Sequence, residues 1–270
     1  MIYQFVHLDY GSENIFKKLK YSITNLRHTI NREDSSDKIH LWCARSLGRN
    51  PAYDVAALEK NGLVDECVWE PFHNQDGEIR IQPGWYNQIH MAYIREAIYN
   101  KEPTIFLDAN ISVFKSLEID EDAFYFWRGE GRWFGLPWVF QTKDDASLFL
   151  ETFYNKGILD KDPETAFAKY SMWNVSMLYI PPKYLSEIQE KHVEALDWII
   201  NYYSKAYSNL YVACSCADQI VLSFLIQDIA ERDGVEIFTG REAFPYPYAL
   251  RLIAETEADI AGSLRILFDG

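Results

Sequence analysis

Residues 104–111 read Thr-Ile-Phe-Leu-Asp-Ala-Asn-Ile, and they constrain the fold more than any other stretch of the chain. Four apolar or β-branched residues run directly into Asp108, and Asn110 follows two positions later. This pattern predicts a fully buried strand with a carboxylate and an amide at its carboxyl end. Because ligands of open α/β sheets bind just beyond the carboxyl ends of the strands, we expect a ligand site here. A carboxylate at that place can hold a divalent cation, which in turn can hold a diphosphate.

Strand-like and helix-like segments alternate along the rest of the chain. Alternation of this kind is typical of βαβ units, so we predict an α/β fold with a mainly parallel central sheet flanked by helices. No repeat or linker interrupts the pattern, which favours a single domain over residues 1–270. The predicted strands are 2–8, 38–43, 64–69, 104–107, 124–127, 173–180 and 235–238. The predicted helices are 12–30, 54–62, 85–100, 142–157, 183–205 and 217–233.

Composition and charge limit the possible partners. Hydrophobic residues make up 48% of the chain and charged residues 24%, which is typical of a globular protein with a sizeable core. Acidic residues outnumber basic ones by 40 to 26, giving a net charge of −14. Nucleic-acid binders need Lys and Arg to displace counterions from phosphates, so this charge disfavours nucleic acid as a partner. The sequence contains neither a signal peptide pattern nor an apolar run of membrane-spanning length, so we expect a soluble, cytoplasmic protein with reduced cysteines.

Three segments, in order, resemble the nucleotide-sugar-dependent glycosyltransferases of the GT-A fold. Residues 103–114 resemble the Asp-x-Asp segment of that family, which likewise follows a helix and a short turn. Residues 173–181, beginning Trp-Asn-Val-Ser, resemble the strand beside the family's acceptor site. Residues 217–219, Ala-Asp-Gln, resemble the Asp-Gln pair that often follows it. The ordered set spans about the middle half of the chain and implies a GT-A-type fold.

The resemblance implies transfer of a sugar from a nucleoside diphosphate sugar, with a UDP-sugar as the first choice, to an unidentified acceptor. It places a divalent cation, Mn²⁺ or Mg²⁺, at Asp108 and Asn110. Asn110 departs from the family, because an amide oxygen can coordinate a cation but brings no charge. The affinity for the cation should therefore be lower than with two carboxylates.

The resemblance also assigns residues to the nucleotide and to the reacting carbon. His7, Asp9 and Tyr10, at the end of the first strand, would bind the base and ribose together with Asp108. Tyr10 can stack on a base, and Asp9 can accept hydrogen bonds.

Asn174, Asp218 and Gln219 would lie near the reacting carbon. Asp218 could act as a general base, which inverts the anomeric centre, or it could orient sugar hydroxyls while Gln219 lies beneath the anomeric carbon. A purely structural alternative is that Asp218 caps its helix.

Two other functions remain open. A protein that keeps the fold without activity would serve as a binding or scaffold protein, and the amide at Asn110 favours it somewhat. A sugar nucleotidyltransferase would need a glycine-rich basic loop after the first strand. Residues 8–14 contain one glycine and two acids instead, which argues against that class.

Overall fold

The computed structural model describes residues 1–8, 13–45, 55–71, 87–131, 143–198, 217–239 and 249–251. The chain forms two compact units. The first unit comprises Met1–Arg80, Ile105–Glu118 and Phe244–Gly270, and the second comprises Ile81–Thr104 and Ile119–Ala243. The single domain over residues 1–270 stays a prediction.

The described residues contain nine strands and seven helices. The strands are β1 (Ile2–Leu8), β2 (Lys38–Arg45), β3 (Glu66–Pro71), β4 (Thr104–Leu107), β5 (Ile111–Val113), β6 (Phe124–Gly131), β7 (Met172–Tyr179), β8 (Ile237–Thr239) and β9 (Ala249–Arg251). The helices are α1 (Glu13–Arg32), α2 (Ala56–Lys60), α3 (Asn87–Asn100), α4 (Lys143–Asn155), α5 (Pro163–Lys169), α6 (Pro182–Trp198) and α7 (Ala217–Asp233).

The first unit is a parallel arrangement of strands with α1 packed on it. Its strand order is β3-β2-β1-β4, and β2 runs parallel to both β1 and β3. A separate antiparallel pair joins β5 to β9. The apolar residues of α1 recur every three or four positions, which places them on one buried stripe, as predicted. They are Phe16, Leu19, Ile23, Leu26 and Ile30.

The second unit has the strand order β7-β6-β8, with β6 antiparallel to β7 and parallel to β8. Helices α3, α6 and α7 pack on one another, and α7 also packs on β7. A large apolar core is formed by side chains from α4, α5, α6 and α7, including Phe149, Phe153, Leu196 and Phe224. Together the two units confirm the predicted α/β class with mainly parallel strands flanked by helices.

The prediction of the secondary structure was wrong in detail, and strands β5 and β9 were not predicted. We predicted that β6 ends at residue 127, but it continues through Gly131 and pairs there with Met172. Register irregularities accompany this extension, and glycines are common in strands at such places. Helix α5 was not predicted. Its start is marked by Asp162, whose carboxylate accepts a hydrogen bond from the Thr165 amide at 2.9 Å.

One buried carboxylate organises the loop before α5. Asp228 of α7 accepts hydrogen bonds from the amides of Asp160 and Lys161, at 2.6 and 3.0 Å. It also accepts one from the hydroxyl of Tyr170 at 2.9 Å. Burial and the Asp228 charge raise the pKa of Tyr170, so the tyrosine stays a donor. This cluster therefore fixes the loop to α7.

A buried tyrosine ties α3 to two backbone segments of the second unit. The Tyr93 hydroxyl donates to the carbonyl of Thr104 at 2.9 Å and accepts from the amide of Ile180 at 3.3 Å. Tyr93 is fully buried, so water does not compete for these two hydrogen bonds.

The cysteines and the helices give two further observations. Cys43 and Cys67, on neighbouring strands, form no disulfide, and the Cys67 thiol donates to the sulfur of Cys43 at 3.9 Å, while Cys214 and Cys216 lie outside the described residues. In the part of the chain that the structure describes, no helix has the length and apolar character needed to cross a membrane.

Candidate functional site

The turn after β4 presents the two predicted cation ligands. All four residues of β4 are buried, and the chain turns at once, with the amide of Ile111 donating to the carbonyl of Asp108 at 2.9 Å. The hydroxyl of Ser22, on α1, donates to the carbonyl of Ala109 at 3.1 Å. The turn is thus held by a backbone hydrogen bond of its own and by a side chain of α1. Asp108 and Asn110 both lie on this turn and are half-buried.

The side-chain oxygen of Asn110 is unusual. Oδ1 is buried and has no hydrogen-bond partner among the described residues. Leaving such an atom unsatisfied costs about 1–3 kcal/mol, so a ligand for it would be stabilising. Asp108 and Asn110 supply two oxygen donors of the kind that Mn²⁺ and Mg²⁺ accept. Within the described ranges no group of three or more His, Cys, Asp or Glu side chains could hold a metal.

The predicted nucleotide residues are only partly described. His7 lies in β1 and is buried, with its ring 5.9 Å from the ring of Phe16. Burial lowers the pKa of His7 to about 4, so the ring is neutral at pH 7. Asp9 and Tyr10 lie outside the described residues. Binding of the base and ribose by these three residues stays a prediction.

Asn174 lies in β7 of the second unit, as expected. The side chain is only 4% exposed, and its Oδ1 accepts a hydrogen bond from the amide of Ser176 at 3.0 Å. This bond holds the amide group in a fixed orientation on the strand. In the register with β6, Asn174 pairs with Arg128.

Asp218 is the second residue of α7, and its carboxylate is 4% exposed. Oδ1 accepts the backbone amide of Gln219 at 2.7 Å, within the first turn of the helix. Oδ2 lies 2.5 Å from Nδ1 of His90, a buried residue of α3. Asp218 therefore does more than stabilise its own helix, because it also links α7 to α3.

The second unit brings the three candidate catalytic residues to one region. The residues on either side of Asn174 are both tied to helices. The Ser223 hydroxyl of α7 accepts the amide of Trp173 at 3.0 Å, and His90 Nε2 lies 3.1 Å from the carbonyl of Val175. The same Ser223 hydroxyl lies 2.7 Å from the carbonyl of Gln219. These bonds fix the start of α7, with Asp218 and Gln219, beside the strand segment that carries Asn174.

Sequence reasoning missed His90, although a signal was present. His90, Tyr93, Ile94 and Ala97 recur at three- and four-residue intervals, and all four are buried. A histidine on the buried stripe of a helix needs polar partners. The identity of these partners was not readable, because Asp218 lies 128 residues away along the chain.

A second buried histidine lies on α6, next to this pair. His192 is fully buried, and neither ring nitrogen has a hydrogen-bond partner among the described residues. Burial lowers the pKa of His192 to about 3; the charge of Asp218 opposes this shift, and His90 adds to it. His192 is consequently neutral at pH 7.

No protein-family model matches the chain, and no curated protein sequence matches it. Several solved structures are similar. The galactosyltransferase LgtC, in complex with donor and acceptor sugar analogs, has a TM-score of 0.46 and 12% identity over 97% of this chain and 96% of that chain. A glycosyltransferase involved in glycosylation of the major capsid of the virus PBCV-1 has a TM-score of 0.42 and 8% identity, over 98% and 100%.

A nucleotide-transferring enzyme is similar to the same degree. The CTP:phosphocholine cytidylyltransferase LicC from Streptococcus pneumoniae has a TM-score of 0.46 and 10% identity, over 99% of this chain and 100% of that chain. All three TM-scores lie below 0.5. Similarity at this level assigns no activity, so function has to be argued from the residues of the chain itself.

Proposed function

We propose that the protein is a glycosyltransferase that moves a sugar from a nucleoside diphosphate sugar, with a UDP-sugar as the first choice, to an acceptor. The observation that carries the proposal is the turn after β4. There a half-buried carboxylate, Asp108, lies two residues from the buried amide oxygen of Asn110, which has no hydrogen-bond partner in the part of the chain that the structure describes. The ordered resemblance to the GT-A glycosyltransferases supports the same function.

Asp108 and Asn110 would hold the divalent cation. Bound there, Mn²⁺ or Mg²⁺ would offset the negative charge that develops on the leaving diphosphate. The residues fit such an ion in chemistry, since both donors are oxygens and the amide oxygen has no competing partner among the described residues. The lower charge of an Asp/Asn pair predicts weaker cation binding than two carboxylates would give.

The resemblance to the GT-A glycosyltransferases assigns Asn174, Asp218 and Gln219 to the groups near the reacting carbon. The side chains of Asn174 and Asp218 and the backbone of Gln219 are held by hydrogen bonds, which is a condition for orienting a sugar. Asp218 would accept hydrogen bonds or a proton, and Gln219 and Asn174 carry amides that can both donate and accept.

Turnover of nucleotide sugars tests the proposal. The purified chain is incubated with UDP-, GDP-, CDP-, ADP- and dTDP-sugars and manganese, and the release of nucleoside diphosphate is measured without and with candidate acceptors. We expect slow hydrolysis of one donor class even without acceptor. Asp108→Asn, which removes one charge at nearly constant volume, should reduce this rate by at least about tenfold.

The matched control is Glu118→Gln, which removes one charge at an exposed position of the same unit. It should retain the wild-type rate. Nucleotide binding without any turnover would replace the proposal with the scaffold function. Release of pyrophosphate from a nucleoside triphosphate and a sugar phosphate would replace it with nucleotidyl transfer.

A further inference from the structure

The side chain of His90 connects three elements of the second unit. Its Nδ1 lies 2.5 Å from Oδ2 of Asp218, at the start of α7. Its Nε2 lies 3.1 Å from the carbonyl oxygen of Val175, in β7. His90 and Asp218 are both almost fully buried, so water does not compete strongly for these bonds.

The two partners fix the number of protons in the pair. A carbonyl oxygen can only accept, so Nε2 of His90 must carry a hydrogen. The short contact at Nδ1 also needs a hydrogen, because two lone pairs would repel each other. That hydrogen is on the ring, giving an imidazolium and a carboxylate, or on Asp218, giving a neutral ring and a carboxylic acid.

The surroundings of Asp218 favour the carboxylate. Its other oxygen accepts the backbone amide of Gln219 at 2.7 Å, a bond that needs an oxygen without a hydrogen at that place. Asp218 is also in the first turn of α7, where the helix dipole stabilises negative charge. The shared hydrogen therefore belongs to His90, and the pair is ionic.

His192 is the third ionisable side chain of this cluster, and it is neutral. It lies close enough for the charges of both His90 and Asp218 to act on it, and burial keeps it neutral. The single positive charge of this His-Asp-His cluster is accordingly on the ring that bonds to Asp218. A second positive charge on His192 would be unfavourable beside it.

We propose that His90 is a positioning residue: as an imidazolium it holds Asp218 ionised and in one orientation, so that Asp218 acts as a hydrogen-bond acceptor. The functional part of this inference rests on the proposed function. Both oxygens of the Asp218 carboxylate are already engaged in hydrogen bonds, one with the imidazolium and one with a backbone amide. The pair thus favours the orienting role of Asp218 over the role of general base.

Nitrogen NMR of the histidine rings tests the protonation state without any substrate. The chain has six histidines, and the His90 signal is the one lost in His90→Asn. From about pH 6 to pH 8, both ring nitrogens of His90 should carry hydrogen. A signal with one unprotonated nitrogen in this range would overturn the ion pair. Exposed His28, identified with His28→Gln, serves as the reference ring.

Two variants of His90 then separate positioning from structure. The amide nitrogen of Asn occupies the place of Nδ1, so His90→Asn can still donate to Asp218. The amide nitrogen of Gln reaches the place of Nε2, so His90→Gln can still donate to Val175 but leaves Asp218 without its partner. Both are neutral, and both should remain folded by circular dichroism.

Kinetics on the donor sugar give the decisive comparison. We expect His90→Gln to lower kcat by about tenfold or more with KM changed by less than about threefold, and His90→Asn to recover most of kcat. Equal kcat values for the two variants would overturn the positioning role. A wild-type protein without turnover would remove the proposed function, whereas the NMR measurement would still decide the protonation of His90.

Discussion

Replacement of His192 by leucine should reduce the sensitivity of the protein to acid. The pKa of this ring is about 3 in the folded state, because the side chain is fully buried, against about 6.5 in an unfolded chain. As the pH falls below about 6.5, the unfolded state binds a proton that the folded state cannot bind. This ring therefore leaves the free energy of unfolding at its full value above pH 6.5. The free energy of unfolding then falls progressively as the pH is lowered to about 3.

The magnitude follows from the two pKa values. Each pH unit below the unfolded pKa costs about 1.4 kcal/mol, so about 2 kcal/mol is lost between pH 7.5 and pH 5 at this one site. His192→Leu removes this loss. Leucine has a similar volume, and neither ring nitrogen has a hydrogen-bond partner among the described residues, so stability at pH 7.5 should change by less than about 1 kcal/mol.

Urea denaturation followed by tryptophan fluorescence measures this prediction. The free energy of unfolding is determined at pH 7.5 and pH 5 for the wild type, His192→Leu and the exposed control His28→Gln. The wild type should lose about 2 kcal/mol more than His192→Leu, and His28→Gln should behave as the wild type. An equal loss in the wild type and His192→Leu would refute the reasoning.

Three further substitutions test other parts of the structure. Asp228→Asn should lower the free energy of unfolding by about 2–3 kcal/mol in urea denaturation, because this carboxylate accepts hydrogen bonds from two amides and a hydroxyl. The control Glu164→Gln, an exposed change nearby, should lower it by less than about 0.5 kcal/mol. Tyr93→Phe should lower the free energy of unfolding by about 1–3 kcal/mol. Tyr99, on the same helix, is 77% exposed, so Tyr99→Phe should change it by less than about 0.5 kcal/mol. Equal losses in the two variants would contradict the bridging role of Tyr93. Asn110→Asp should tighten manganese binding on the order of tenfold in calorimetry, and unchanged affinity would remove this residue from the coordination shell.

The main elements of the fold were readable because their signals are local. The continuous apolar run of β4 predicted a buried strand, and all four of its residues are buried. The three- and four-residue spacing in α1 predicted its buried stripe. Helix α7 was predicted with its observed bounds, Ala217–Asp233, since Gly234 follows it with φ of +67°, a conformation that favours glycine.

The missed features depend on contacts that are distant along the sequence. The extension of β6 through Gly131 is decided by its pairing with β7, which no local pattern of glycines reveals. The pair of β5 and β9 joins segments that are about 138 residues apart. Helix α5 is short, and propensity alone is weak over seven residues, although its capping residue Asp162 was visible.

In the candidate site, too, local features could be predicted from the sequence and contacts between distant residues could not. The residue types at 108 and 110 could be selected because they directly follow a recognisable strand, and those at 174, 218 and 219 because their segments resemble the GT-A glycosyltransferases. The environment of Asp218 could not be predicted from the sequence, because it includes His90 on another helix. The lack of a hydrogen-bond partner for the Asn110 oxygen among the described residues was equally unreadable, since the sequence does not show which groups a turn leaves unsatisfied.

A thermal-shift titration with UDP, GDP, CDP, ADP and dTDP, each with and without manganese, tests the central claim most directly. A ligand that binds only the folded state raises Tm by mass action. We expect one diphosphate to raise Tm in manganese, with the increase lost in Asp108→Asn and retained in Glu118→Gln. No increase with any diphosphate would contradict the proposed nucleotide-sugar site, and an increase unaffected by manganese would contradict the role given to the cation.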